Sequence, residues 1–139
     1  MKKLAVAACL ILGGFAAIAQ TPRTPATQGA DLYIISPADN ATVTGPVTVR
    51  FGLKGMGIAP AGIQLPDTGH HHLLVDADVP PLDKPIPADA NHVHFGKGQT
   101  ETTLTLAPGK HTLQLLLGDH LHIPHQPAVV SQKITITVR

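Results

Sequence analysis

Short runs in which apolar and polar residues alternate, each stopped by glycine or proline, recur from Leu32 to Val138. No segment keeps a helical period. Side chains of a strand point to opposite faces in turn, so a period of two marks a half-buried strand. Val47-Thr48-Val49-Arg50-Phe51-Gly52-Leu53 is the plainest case, and Thr100 to Leu106 follows the same rule. Leu32 to Ile35, His72 to Val75, His111 to Leu117 and Val129 to Val138 supply further strands. Ser36-Pro37, Gly45-Pro46 and Ala107-Pro108-Gly109-Lys110 punctuate them. Pro80, Pro81, Pro85 and Pro87 make residues 76–90 a stiff, irregular excursion rather than a helix. About seven strands at this spacing predict an all-β fold: a single Ig-like antiparallel β-sandwich over residues 31–139. With no Trp, one Tyr and three Phe, its core must be built from Leu, Ile and Val.

The first residues read differently. Met1-Lys2-Lys3 precedes an apolar stretch from Leu4 to Ala17, and Ala17-Ile18-Ala19 then precedes Gln20. A basic start, a short apolar core and an A-x-A site define a secretory signal peptide, 1–19, cleaved after Ala19. The rival is a lipoprotein signal with Val6-Ala7-Ala8-Cys9 as its lipobox, but apolar sequence continues well past Cys9. The expectation is therefore a periplasmic or secreted protein with no transmembrane segment after cleavage. Polar, proline-bearing residues 20–30 read as a flexible lead into the domain. Cleavage removes the only cysteine, which excludes disulfides and thiolate ligands. It also removes Lys2 and Lys3 and leaves 8 basic against 9 acidic side chains. No basic run remains to follow a phosphate backbone, so nucleic acid is excluded as a partner.

Nine histidines mark the candidate site. His70-His71-His72, His92-Val93-His94 and His120-Leu121-His122-Ile123-Pro124-His125 form three groups, and only His111 stands apart. The groups are too far apart along the chain to form one tail, so they meet only if the fold brings them together. On strands, His70 and His72 share one face while His71 joins Leu73 and Val75 on the other. His92 and His94 pair by the same parity, as do His120 and His122. Neutral imidazole binds transition metals well, and imidazole-rich sets suit copper and zinc over magnesium or calcium. The expected metal ligands are His72, His94, His122 and His125. His70, His71, His92, His120, Met56 and Asp119 stand behind them, as substitutes or as groups that orient the ligands. Asp67 and Asp76 also lie near the groups. Gly69, Gly96, Gly98 and Gly118 flank them and allow close approach of the backbone.

Catalytic signatures are thin. There is no G-x-S-x-G and no H-E-x-x-H, and Glu101, the sole glutamate, reads as a solvent-facing strand residue. No catalytic residue is assigned. A binding or carrier role for copper or zinc is favoured over a metal-dependent hydrolase. The other alternative is a metal-free module that docks on a periplasmic or cell-envelope protein.

The strings Thr68-Gly-His-His-His-Leu-Leu74, Asn91-His-Val-His-Phe-Gly-Lys-Gly-Gln-Thr-Glu101 and Leu115-Leu-Leu-Gly-Asp119 with His122-Ile-Pro-His125 carry a resemblance. The chain resembles the exported bacterial domain-of-unknown-function family 4399, across nearly all of Leu32 to Val138. Ile35 to Val43 and Phe51 to Gly57 fit the same pattern. The resemblance implies an exported β-sandwich and carries no catalytic residue with it. Its histidine motifs fall on His70, His71, His72, His92, His94, His111, His122 and His125, with His120 the least characteristic member.

Overall fold

The computed structural model describes residues 22–139. Nine strands, with no helix among the described residues, run in the order β1 (Asp31–Ser36), β2 (Thr42–Val43), β3 (Val47–Lys54), β4 (Gly57–Ile58), β5 (Thr68–Val75), β6 (His92–His94), β7 (Glu101–Leu104), β8 (Gly109–Gly118) and β9 (Ile134–Val138). They form two sheets: β1-β3-β7, and β2-β9-β8-β5-β4 with β6 paired to β5. The all-β sandwich of two sheets predicted from the alternation is the fold. Two details differ from the expected antiparallel set of seven strands. The extra strands are two or three residues long, and two of them, β2 on β9 and β4 on β5, pair in parallel. Runs that short leave no periodicity to read. The expected signal peptide, with Cys9, lies outside the described residues.

Alternation along the strands decides which faces meet. On β3, Val47, Val49 and Phe51 are buried while Thr48 and Arg50 are exposed. They pack on Leu73 and Val75 of β5, Leu113, Leu115 and Leu117 of β8, and Ile134, Ile136 and Val138 of β9. At about 25 cal/mol per Å² of apolar surface, burial of such side chains is the main force holding the two sheets together.

β5 breaks the half-buried pattern. Every residue from Gly69 to Val75 is buried, so the strand is covered on both faces. It lies between β8 and the β4/β6 edge. Its outer face, which carries His70, His72 and Leu74, is roofed by the excursion after β5 and by the segment after β8. Ile86 is buried in the first, and the second pairs back through Gly118–Pro124 and Leu116–Val130 bridges. Within the lead, residues 23–26 run beside the third histidine segment. Pro25 bridges Gln126, and Ala26 N donates to Gln126 O at 3.0 Å. Two free hydrogen-bonding edges, one on the lead and one on the third histidine segment, satisfy each other.

Candidate metal centre

Register brings the histidines together. His70 and His72 sit two residues apart on β5 and share its outer face. Antiparallel pairing of β5 with β6 sets His94 directly across from His72. His122 comes from the loop after β8. That loop turns back through Asp119 N donating to Ile123 O and His122 N donating to Asp119 O, both at 2.9 Å. His122 lies at φ 67, in the left-handed region that non-glycine residues seldom adopt. Ile86 N donates to His122 O at 2.8 Å and pins the turn to the roof.

The four rings form one cluster. Centroid separations are 4.8 Å for His70–His72, 5.0 Å for His70–His94 and for His70–His122, and 4.8 Å for His94–His122. His72 lies 5.1 Å from His94 and 6.0 Å from His122. One nitrogen each of His70, His94 and His122 lies within 4.8 Å of the others, which places a single point within about 2.8 Å of all three. A Zn–N bond is about 2.0–2.1 Å, so small ring rotations close the gap.

Glycines make the space. A Cβ on Gly96 would sit 2.4 Å from His94 Cε1 and 2.7 Å from its Nε2. A Cβ on Gly118 would sit 2.7 Å from His72 Cε1 and 3.3 Å from Ile86 Cδ1. The two sites differ in what can yield. His94 is half-buried on a three-residue edge strand that can shift, whereas His72 is fully buried beneath the roof. Gly96→Ala is therefore expected to leave the melting temperature within about 3 °C and to weaken metal binding about tenfold or more. Gly118→Ala is expected to destabilise the fold by about 1–3 kcal/mol through overpacking. Thermal melts and metal titrations of the two variants check this contrast.

Burial keeps these rings neutral. Desolvation, reinforced by the neighbouring His122 and His94, lowers the His70 pKa to about 4. Desolvation and the other three rings lower His72 to about 3. His94 is shifted in the same direction by burial and by His122. Both His70 nitrogens, His72 Nδ1 and His94 Nε2 are buried without a hydrogen-bond partner. Such a group usually costs about 1–3 kcal/mol, so it calls for an explanation. Neutral imidazoles with free lone pairs, converging from three segments, fit a transition-metal ion.

The remaining candidates lie elsewhere. His125 is fully buried, but its Nε2 faces Thr68 O at 3.1 Å and its ring is not one of the four. His70 occupies the place expected of it. His71 points into the core, where its ring meets Phe51 edge-on at 5.1 Å. His92 is engaged by Asp89 at 2.8 Å. His120 borders a surface cleft of about 310 Å³ walled by Ala59, Ile63 and Leu65, and Met56 packs on the hydrophobic core. Asp119 touches no ring by hydrogen bond. Its Oδ2 accepts from Thr24 Oγ1 at 2.6 Å, and its Oδ1 accepts from Leu121 N and Ile123 N at 2.9 and 3.0 Å. Burial opposes its charge, yet these donors and His120 outweigh that and hold its carboxyl below the usual range. His111 pairs with Asp76 at 2.7 Å, away from the cluster, and that bond raises its pKa. Glu101 faces solvent and pairs with Arg50 at 3.2 Å.

The family model described as Domain of unknown function (DUF4399) matches residues 49–139. The chain belongs to this family. The match spans every histidine of the sequence, and so the whole of the DUF4399 histidine cluster, while β1 and β2 precede it. No curated protein matches the chain. Among solved structures, the fibronectin(III)-like modules of Clostridium thermocellum CbhA are similar at 14% identity, with a TM-score of 0.35, over 77% of this chain and 92% of that one.

Proposed function

We propose that this protein is an exported carrier for a copper or zinc ion, held by His70, His94 and His122 with His72 completing the set. The observation that carries the reading is the convergence of imidazole nitrogens from three distant segments, with both His70 nitrogens and His94 Nε2 buried and lacking a hydrogen-bond partner. A polar cluster held together only for packing would pair its nitrogens with backbone or carboxylate. Thioether ligation plays no part in this reading, because Met56 is partly buried against the hydrophobic core and outside the ring cluster. A nitrogen-only set suits Zn²⁺ or Cu²⁺ better than a softer ion.

Two features favour binding over catalysis. His70 and His72 are almost wholly buried, which limits water at these two ligands. Asp119, the acidic residue of the third histidine group, is occupied by three donors and is not free to act as a general base. Export follows from the signal sequence, which predicts a mature chain starting at Gln20 in the periplasm or outside the cell.

Titration calorimetry on chelator-stripped, tag-free protein tests the reading. The expected result is saturable uptake of one equivalent of Zn²⁺ or Cu²⁺. Failure of both ions to bind near one equivalent retires it. X-ray absorption of the loaded protein should then give a nitrogen shell without sulfur.

A further inference from the structure

We infer that the segment 22–26 belongs to the metal site: Thr24, acting through Asp119, is a positioning residue for His122. This rests on the carrier reading for its affinity readout and stands apart from it in its structural readout. The segment runs beside residues 124–126, with Gln126 N donating to Thr24 O at 2.9 Å in addition to the bonds of Pro25 and Ala26. Arg23 fastens it. Its Nε donates to Pro124 O at 2.9 Å, one terminal nitrogen to Gln126 Oε1 at 2.6 Å and the other to His125 O. The Thr24 hydroxyl is thereby aimed at Asp119, a carboxylate only 3% exposed.

Asp119 spends its other oxygen on Leu121 N and Ile123 N, the amides on either side of His122. His122 itself is held at φ 67, a conformation that persists only where the surroundings over-determine it. A buried carboxylate that loses a donor shifts toward another, water of the adjoining cleft included, and strains its bonds to the two amides. Losing Thr24 thus loosens the turn that aims the His122 ring. Ile86 N on His122 O steadies the same turn from the other side but does not replace the carboxylate. Groups that orient a metal ligand from behind commonly affect affinity about 10–100-fold.

The test uses the full mature chain with Thr24→Val, Thr24→Ser and Arg23→Ala, probed with Zn²⁺ and Cu²⁺ and, without metal, by amide hydrogen exchange. Thr24→Val should weaken binding about tenfold, and Thr24→Ser should restore it. In a His122→Ala background the Thr24→Val effect should disappear, which a general loss of stability would not achieve. In the metal-free protein, exchange at Leu121 and Ile123 should accelerate while amides of the β5–β8 pair keep their protection. Arg23→Ala loosens the same strap without touching Asp119 and substitutes if Thr24→Val fails to fold. Unchanged affinity, or a loss that persists without His122, overturns the assignment. If the parent protein binds neither ion, exchange decides alone: a rise confined to Leu121 and Ile123 upholds it, and no rise or a rise throughout the sandwich overturns it.

Discussion

Replacing His94 and His122 together by alanine is expected to lower Zn²⁺ or Cu²⁺ affinity by at least about 1,000-fold, since losing even one supporting group behind a ligand costs about 10–100-fold. The pair is chosen because both residues are only half-buried and hang from a short edge strand and a loop. Their removal leaves no cavity inside the sandwich, so circular dichroism and the metal-free melting temperature should stay close to the parent's. His125→Ala is the matched control. Its ring faces Thr68 O and lies outside the cluster, so affinity should change less than about threefold if direct ligation is what matters. Titration calorimetry or competition with a chelator measures both. A double variant that retains tight binding removes the site from the positions assigned to it.

The difference between His70 and His125 shows how far the sequence could be read. Period two on β5 places His70 beside His72 and sends His71 into the core, where it meets Phe51. Parity also sets His92 and His94 on one face, but only the register of β5 against β6 decides which of them faces His72. That register is a long-range fact with no local signature. His125 is a different case. Pro124 before it predicts an extended path, whereas the loop doubles back at His122 through a left-handed residue. Backbone conformation of that kind at a non-glycine position is set by Asp119 and its donors, not by local propensity. The pairing of the N-terminal lead was illegible for the same reason. Proline and threonine suggest freedom, and the partner lies 100 residues away, at Gln126. Glycines were more informative. Gly96 and Gly118 read as places of close approach, and imidazole rings lie against both.

Acid should unfold the metal-free protein within a defined window. In the unfolded chain a histidine takes up its proton near pH 6.5. In the fold, burial holds His70 and His71 down to about 4 and, with its neighbours, His72 to about 3. Between these limits the unfolded state binds more protons, so stability is full above pH 6.5 and is lost as pH falls toward 4 and below. Each tenfold change in proton affinity is worth about 1.4 kcal/mol, and a single such factor at each of the three rings already amounts to about 4 kcal/mol. His111 acts in the opposite sense. Its pKa is raised by Asp76, so its contribution is present below pH 6.5 and fades as pH rises through its folded value. It is one ring near the surface against three in the interior, and acid destabilisation should win. The melting temperature without metal is expected to drop by about 10 °C or more from pH 7 to pH 4. Bound metal should hold it up at pH 7 and be released across the same range, because protons compete for the same nitrogens. His72→Leu tests the cause. It replaces an imidazole whose Nδ1 has no partner with an apolar side chain, so the metal-free form should gain about 1–3 kcal/mol and become less sensitive to acid, while metal affinity falls. A variant that loses stability and affinity together would mean that the histidines are there to build the fold. Stability gained at the expense of affinity would mean that the fold carries them for the metal.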